Sequence, residues 1–392
     1  MHVKTAVSRR GFMGGVAAAL GYVGIHPGEL LAQVRAAAPA APRGRLSAAE
    51  YDSFAKLASN ENPYGPPESV MKAMTEAFKY SNRYGYPDGG IVQEIAAHHG
   101  VKPENVLLGA GSGEILQVVG TTFLQDGRKV LGVEPSYGSV YQHASGIKAD
   151  AIKLPLRDDF TQDIPEMIKV AKANYRDLGF VYVCNPNNPT GLVVSKQDVK
   201  LLLDSIPADL PVLMDEAYHH FIDDPSYATS VPYVIEGRPV IIARTFSKIA
   251  ALAGMRLGYA IAPKYLIDQM RPHAVSSVNA LVKWGGVAAL KDTAAQERVK
   301  RTTRELRDKT TAELQALGFS VIPSQTNFFM VHVKRHVVPL AEEFRKKGVL
   351  VGRPFPPMTE HLRVSIGTAD EMTRFMTAFK EIFGAQRGTT AG

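Results

Sequence analysis

Short apolar runs rich in valine and isoleucine alternate with segments of helical spacing from about residue 55 onward. Six of these runs are Val106-Leu-Leu, Lys129-Val-Leu-Gly-Val, Phe180-Val-Tyr-Val-Cys, Val212-Leu-Met, Val240-Ile-Ile-Ala and Leu257-Gly-Tyr-Ala-Ile. Strands that are apolar on both faces are typical of parallel sheets, because the connecting helices cover both faces. The alternation therefore predicts an α/β fold with a mostly parallel sheet between layers of helices.

The pattern changes toward the C-terminus, where a long charged helix is predicted over 294–317. The elements that follow mix helices and strands, which predicts a smaller α+β lobe over 289–392 beside a large lobe over 86–288. The preceding segment, 46–85, contains Asn62-Pro-Tyr-Gly-Pro-Pro67. This proline content predicts an arm that lacks regular structure and wraps between the lobes.

The first 45 residues have a different character from the rest. Ser8-Arg-Arg-Gly-Phe-Met13 precedes a mostly apolar run, Gly14 to Ile25, and then the stretch Ala36-Ala-Ala-Pro-Ala-Ala-Pro42. The apolar run is shorter than the roughly 20 residues that a membrane span needs. The layout resembles a twin-arginine signal, which exports proteins already folded. We therefore expect export to the periplasm by the twin-arginine machinery, or a membrane tether if the signal is not cleaved.

Charge and cysteine content agree with this division. Residues 1–45 hold six basic residues and one acidic residue, and so supply +5 of the formal net charge of +7. The remainder is close to neutral, so we expect no nucleic-acid partner. Cys184 is the only cysteine, which excludes an intrachain disulfide. A stable core formed around a cofactor before export is consistent with this composition.

A glycine-rich loop, Gly109-Ala-Gly-Ser-Gly113, follows one predicted strand and precedes a helical stretch. Backbone N–H groups at a helix N-terminus, together with the Ser112 hydroxyl, are suited to binding a phosphate. The same loop is compatible with a dinucleotide site, because Glu134 ends the next strand where a ribose-binding acid is expected. A nicotinamide-dependent dehydrogenase is therefore one alternative.

Two further polar segments follow predicted strands: Asn185-Pro-Asn-Asn-Pro-Thr-Gly191 and Asp215-Glu-Ala-Tyr218. Asp215 directly ends an apolar strand, where a carboxylate without a cationic partner is costly to bury. A protonated pyridine nitrogen is such a partner, and Asn188 and Tyr218 are able to donate to an oxygen on the same ring. A divalent metal at Asp215-Glu216 is the competing interpretation, but no third ligand recurs with useful spacing.

The segment Arg244-Thr-Phe-Ser-Lys-Ile-Ala-Ala-Leu-Ala-Gly-Met-Arg256 places one lysine at the end of another predicted strand. A lysine in a mostly apolar pocket near other cations has a lowered pKa, and its neutral amine can form a Schiff base with an aldehyde. Ser247 and Arg256 flank Lys248 and are suited to holding a phosphate. These features together predict a site for an aldehyde cofactor that carries a phosphate.

The ordered set of these motifs, completed by Gly-Met-Arg-Leu-Gly and a late Leu362-Arg-Val-Ser-Ile-Gly, resembles the class I/II pyridoxal-phosphate aminotransferases of fold type I. The resemblance covers roughly residues 55–385 and is strongest to the histidinol-phosphate aminotransferase branch. It implies a seven-stranded, mostly parallel sheet, pyridoxal 5'-phosphate as cofactor, and an amino acid and a 2-oxo acid as substrates.

The resemblance also implies a role for each matching residue. Lys248 is the Schiff-base lysine and proton shuttle, and Asp215 contacts the pyridine nitrogen. Tyr137 stacks on the ring, and Asn188 and Tyr218 contact its oxygen. The residues implied around the phosphate are Ser112, Gly113, Thr245, Ser247 and Arg256. The residues implied for the substrate are Arg363, as a bidentate partner of the carboxylate, and Arg353, for a phosphate or distal acid.

The same resemblance implies a homodimer in which Tyr86 crosses to the neighbouring subunit's cofactor, with Tyr84 as the alternative. Two features argue against histidinol phosphate as substrate. Ala48-Ala-Glu-Tyr-Asp-Ser-Phe54 replaces the family's Pro-Tyr element, and an exported enzyme is badly placed for histidine biosynthesis. The remaining alternatives are a decarboxylase or lyase that uses the same cofactor, and an exported two-lobed binding protein.

Overall fold

The computed structural model describes residues 47–274 and 277–387. The predicted export signal and linker, residues 1–45, lie outside these residues. The chain divides into two units between Ser53 and Phe54, and the described part of the first unit contains helix α1 (Ala48–Ser53). Within the described ranges, no helix combines the length and apolar character that a membrane crossing requires.

The second unit alternates strands and helices, as the sequence predicts. Its strands in the described residues are β1 (Ala55–Leu57), β2 (Val106–Gly109), β3 (Lys129–Glu134), β4 (Ala151–Pro155), β5 (Leu178–Cys184), β6 (Val212–Asp215), β7 (Val240–Thr245), β8 (Gly258–Ile261), β9 (Ser320–Ile322), β10 (Phe328–His332), β11 (Val349–Val351) and β12 (His361–Ser365). Its helices are α2 (Glu68–Glu76), α3 (Ile91–His99), α4 (Ser112–Phe123), α5 (Ser139–Gly146), α6 (Ile164–Ala173), α7 (Lys196–Ser205), α8 (Val231–Ile235), α9 (Lys264–Met270), α10 (Ala280–Lys291), α11 (Thr293–Ala316), α12 (Val337–Lys346) and α13 (Ala369–Arg387).

The main sheet has seven strands in the order β2-β8-β7-β6-β5-β3-β4. All pairs from β7 to β4 are parallel, which confirms the predicted mostly parallel sheet. Strand β8 is antiparallel to both of its neighbours. A loop without a crossover helix joins β7 to β8, and such a connection returns the chain in the opposite direction.

Both faces of this sheet are buried. In β5, Val181 and Val183 belong to one apolar cluster, whereas Phe180 and Tyr182 belong to another. Because successive side chains of a strand point to opposite faces, the two clusters are the cores on the two sides of the sheet. The carboxyl ends of β5, β6 and β7 therefore lie at one edge, where ligands bind in folds of this kind.

A further apolar core surrounds the two smaller sheets. These are the antiparallel sheet β12-β10-β9 and the parallel pair β1-β11. Helices α12 and α13 pack on them with Phe344, Phe375 and Phe379, none of which is exposed to solvent. The charged helix predicted over 294–317 is α11. The division into lobes at 85/86 and 288/289 remains a prediction.

The prediction that residues 46–85 lack regular structure is wrong. This segment contains α1, β1, α2 and a short 3-10 helix, Ala77–Tyr80. Its prolines are confined to the turn before α2, and Pro67 is the residue that precedes this helix. Proline is tolerated there because the first N–H groups of a helix have no intrahelical acceptor.

Candidate active site

A cavity of about 180 Å³ lies at the carboxyl ends of β5, β6 and β7. The structure brings ten of the predicted site residues together around it. They are Ser112, Gly113, Tyr137, Asn188, Asp215, Tyr218, Thr245, Ser247, Lys248 and Arg256. Segments far apart in the chain supply these side chains, and each segment follows a strand or begins a helix. The motifs therefore converge because the parallel strands end at the same edge.

One side of the cavity is a cradle for an anion. Helix α4 begins there at Ser112, and the first N–H groups of a helix are not used inside the helix. The guanidinium of Arg256 lies over Gly111 and donates to the Ala110 carbonyl over 3.1 Å. A Cβ atom at Gly111 would be 2.2 Å from Nη2 of Arg256, and the backbone φ at this glycine is +82°. Only glycine fits this position without moving the arginine.

Hydroxyl groups complete the cradle. The Thr245 hydroxyl donates to the Ser247 hydroxyl over 2.8 Å, and the Ser247 N–H donates back to Thr245 Oγ1 over 3.1 Å. Arg256 holds its guanidinium beside them from a left-handed backbone conformation, with φ of +59°. Such a conformation is unfavourable for a residue with a Cβ atom, and strain of this kind is concentrated at functional sites. The donors present fit a phosphate.

At the opposite end, Asp215 is a buried carboxylate with 2% exposure. It accepts hydrogen bonds from the Ala217 N–H over 3.2 Å and from the Tyr182 hydroxyl over 3.3 Å. No ion pair reaches it from the described part of the chain, and burial raises the pKa of this carboxyl from 3.8 to about 6. A buried acid that lines a cavity and has no ion-pair partner among the described residues fits a protonated ring nitrogen as its partner.

Lys248 lies between these two ends. Its Nζ donates to the Ser59 carbonyl over 3.3 Å and lies 5.6 Å from the centroid of the Tyr218 ring. Burial, reinforced by the nearby charge of Arg363, lowers the pKa of Lys248 from 10.5 to about 8. About a tenth of the amine is then neutral at pH 7, far more than for an ordinary lysine. The predicted nucleophile thus has the electrostatics that its role requires.

Tyr218 and Asn188 lie side by side at the rim. Asn188 Nδ2 donates to the Tyr218 hydroxyl over 3.5 Å, and Asn188 Oδ1 accepts from Arg363 Nη1 over 2.8 Å. Asn60, which the sequence analysis did not select, donates to the same tyrosine hydroxyl over 3.0 Å. Arg363 Nε is buried and has no hydrogen-bond partner in the part of the chain that the structure describes.

Arg353 lies outside this cavity. It lines a neighbouring cavity of about 470 Å³ together with Lys153 and Phe355. The guanidinium groups of Arg353 and Arg363 lie 4.2 Å and 4.8 Å from the centroid of the Phe355 ring. The two predicted substrate arginines therefore share one aromatic contact, and Arg363 also donates a hydrogen bond to Asn188 of the first cavity. Glu134, which the dehydrogenase alternative requires, pairs instead with Lys153 over 2.9 Å.

The tyrosines predicted to reach a second subunit also lie outside the cavity. Tyr84 and Tyr86 have relative exposures of 101% and 81%, whereas Tyr137, on the cavity wall, has 38%. That Tyr86, or Tyr84 as the alternative, reaches the cofactor of a neighbouring subunit stays a prediction.

Behind the cavity, Glu216 and Arg244 form a buried ion pair. Arg244 Nη2 lies 2.6 Å from Glu216 Oε2, and the side chains are 3% and 0% exposed for the arginine and the glutamate. These residues follow Asp215 and precede Thr245, so strand alternation directs them away from the cavity. The Glu216 carboxylate therefore pairs with an arginine and points away from Asp215, which argues against the alternative of a divalent metal bound by Asp215 and Glu216. No cluster of three or more metal-ligating side chains is present among residues 47–274 and 277–387.

Comparison with known proteins identifies relatives over most of the chain. The family model for aminotransferase class I and II matches residues 52–379. A histidinol-phosphate aminotransferase from Moorella thermoacetica is 37% identical over 336 residues, covering 83% of this chain and 85% of the relative. One from Caldicellulosiruptor saccharolyticus is 34% identical over 83% of this chain and 91% of its own length.

A solved structure gives the same fold. The histidinol-phosphate aminotransferase from Sinorhizobium meliloti, in complex with pyridoxal-5'-phosphate, superposes with a TM-score of 0.78 and 24% identity. The match covers 88% of this chain and 96% of that chain.

Proposed function

We infer that the cavity around Lys248 is the site of transamination, because this chain belongs to the aminotransferase class I and II family. The protein is a pyridoxal-phosphate-dependent aminotransferase, which moves an amino group between an amino acid and a 2-oxo acid. The single observation that carries the assignment of the site is the position of Lys248 between the anion cradle and the buried carboxylate of Asp215.

Pyridoxal phosphate supplies, when bound, an aldehyde that condenses with amines and a pyridine ring that withdraws electrons. The cradle formed by Ser112, Gly113, Thr245, Ser247 and Arg256 would hold its phosphate. Asp215 would keep the ring nitrogen protonated, because a buried carboxylate favours a cation beside it. Tyr137 would pack on the ring, and Asn188 and Tyr218 would contact the ring oxygen.

The Lys248 amine carries out the proton transfer of each half-reaction. With a substrate amino acid bound, a free Nζ would take the α-proton of that substrate and later give the proton up again, so that the amine returns to its starting state. A lowered pKa supports this role, because a general base works best when its pKa is close to the working pH. The hydrogen bond to the Ser59 carbonyl is weak enough, at 3.3 Å, to let the amine move.

Arg363 is proposed to bind the substrate carboxylate. Its Nη atoms already contact Asn188 and the Ala58 carbonyl, so its position is fixed, while Nε has no partner among the described residues. Arg353 is proposed for a second anionic group of the substrate, through its shared contact with Phe355.

Histidinol phosphate is the second candidate substrate, because relatives with 37% and 34% identity carry that activity in their names. A half-reaction screen distinguishes an ordinary amino acid from histidinol phosphate as the amino donor. Each amino acid, and histidinol phosphate, is added alone to the cofactor-loaded protein, and loss of the visible cofactor band identifies the amino donor. Loss with histidinol phosphate alone would support the second candidate. A protein whose band responds to no amine would contradict transamination.

We also propose a homodimer with shared active sites, which the exposure of Tyr84 and Tyr86 supports. Mixing the inactive K248A variant with Y86A should restore up to about a quarter of the activity, because half of the dimers then hold one intact site. Repeating the mixture with Y84A identifies which tyrosine crosses. Monomeric behaviour, or no recovery with either tyrosine variant, would contradict shared sites.

Export by the twin-arginine machinery is proposed on the sequence of residues 1–45, with the periplasm as destination. Replacing Arg9 and Arg10 by lysine should retain the protein in the cytoplasmic fraction. An unchanged distribution between the fractions would contradict this route.

A further inference from the structure

Asn60 connects the rim of the active site to the smaller antiparallel sheet. Its side chain is 1% exposed and lies between the Tyr218 hydroxyl and Ser365 of β12. Its backbone has φ of +54°, in the left-handed region that few residues other than glycine and asparagine adopt. A strained, buried amide at the edge of a catalytic cavity is a candidate for a functional role.

The hydrogen bonds determine which way the Asn60 amide faces. The Ser365 hydroxyl accepts the Asn60 backbone N–H over 2.8 Å and donates its own proton to Oδ1 over 2.8 Å. Oδ1 therefore faces Ser365, and Nδ2 faces the Tyr218 hydroxyl 3.0 Å away. Because the amide nitrogen only donates, the tyrosine oxygen is the acceptor in this contact.

Asn188 faces the same oxygen in the same sense. Its Oδ1 accepts from Arg363, and an arginine has no acceptor, so Asn188 Nδ2 is the atom that faces Tyr218. Two amide donors thus converge on the Tyr218 hydroxyl oxygen. Since both of its lone pairs then accept hydrogen bonds, the Tyr218 O–H is left to donate into the cavity. Burial raises the pKa of Tyr218, although Arg363 and Asn60 oppose the rise, so the hydroxyl retains that proton.

We propose that Asn60 is a positioning residue that directs the Tyr218 hydroxyl proton at the ring oxygen of the cofactor. The inference rests on the proposed function, in which Tyr218 contacts that oxygen. Asn60 acts through the tyrosine and does not touch the reacting atoms. Ser365 holds the amide in this orientation, so a residue of the smaller sheet sets the direction of a hydrogen bond in the active site.

The consequence is a measurable change in the bound cofactor. A hydrogen bond donated to the ring oxygen withdraws negative charge, and this lowers the pKa at which the visible band of the Lys248-bound cofactor titrates. In the N60D variant a carboxylate faces the tyrosine and accepts a hydrogen bond from its hydroxyl, which turns the O–H away from the ring. We expect the titration midpoint to rise by about one pH unit or more.

The N60G variant separates positioning from backbone strain. Glycine keeps the left-handed conformation without cost and removes only the amide. We expect a smaller rise of the midpoint than in N60D. In the Y218F background, N60G should add no further shift, because the hydroxyl through which Asn60 acts is absent.

N105D is the matched control for the added charge. Asn105 contacts the Ala262 carbonyl, away from the cavity, and its replacement should leave the midpoint unchanged. The absorbance of each cofactor-loaded variant is titrated, and its melting temperature is measured alongside. Unchanged midpoints in N60D and N60G, or an undiminished N60G shift in the Y218F background, would overturn the proposal. An unmodified protein that shows no cofactor band would instead overturn the proposed function.

Discussion

Replacing Lys248 by methionine should stabilise the cofactor-free protein at neutral pH. The pKa of this amine is lowered from 10.5 to about 8, so the folded state binds its proton less tightly than the unfolded state. Below pH 8 both states carry the charge, and the folded state bears the full cost of holding it. Above pH 10.5 both states are neutral, and the cost disappears.

The shift corresponds to about 3 kcal/mol of unfolding free energy at pH 7, at about 1.4 kcal/mol per pKa unit. Partial exposure of Lys248 reduces this value, and the variant also loses the 3.3 Å hydrogen bond to Ser59. Methionine matches the length of the lysine stem and carries no charge. We therefore expect the K248M variant to be about 2 kcal/mol more stable than the unmodified protein at pH 7.

The assay is urea denaturation of both cofactor-free proteins at several pH values between 7 and 10. The difference in unfolding free energy should shrink steadily as the pH rises above 8. K264M, at an exposed lysine, is the control and should change stability by less than about 0.5 kcal/mol. A K248M protein that is less stable at pH 7, or a difference that does not depend on pH, would show that the buried charge of Lys248 does not destabilise the folded state.

Two further predictions concern residues around the site. E216Q should lower the unfolding free energy by about 3–5 kcal/mol in chemical denaturation, because it leaves a buried arginine without its anion. D204N breaks exposed ion pairs and should cost less than about 1 kcal/mol; equal losses in the two variants would contradict the argument. G111A should weaken cofactor binding at least about tenfold in a spectroscopic titration, since the new methyl group displaces Arg256. G127A, with φ of +76° but open space around it, should bind the cofactor normally, and a similar loss there would show that strain alone is responsible.

The sequence predicts most of the cofactor cavity because most of its motifs immediately follow a strand of the same mostly parallel sheet. Asp215, Thr245 and Lys248 are close in space for this reason alone. The local sequence pattern is sufficient to predict that these residues lie close together, since parallel strands bring their carboxyl ends to one edge of the sheet. The predicted seven-stranded sheet is confirmed, and a smaller three-stranded sheet accompanies it.

The residues that sequence reasoning missed depend on contacts between distant segments. Asn60 meets Ser365 across 305 residues, and neither belongs to a pattern that indicates a partner. Tyr182, which donates to Asp215, lies inside a strand whose apolar character conceals its polar hydroxyl. From the sequence alone Glu216 is a possible metal ligand, because its partner, Arg244, is identified only when β6 and β7 are paired.

The regular structure within residues 46–85 escapes prediction for a different reason. The proline content of the segment as a whole is high, but its prolines are confined to one turn. A short strand such as β1 has too few residues for periodicity to predict, and it is stabilised by pairing with β11 near the other end of the chain.

The most direct test of the account is to identify the residue that holds the cofactor. The protein is loaded with pyridoxal phosphate, reduced with borohydride, digested and analysed by mass spectrometry. We expect a single modified peptide with the cofactor on Lys248, and no labelled peptide from the K248A variant. A cofactor attached to another lysine, or a protein that carries none after reduction, would contradict it.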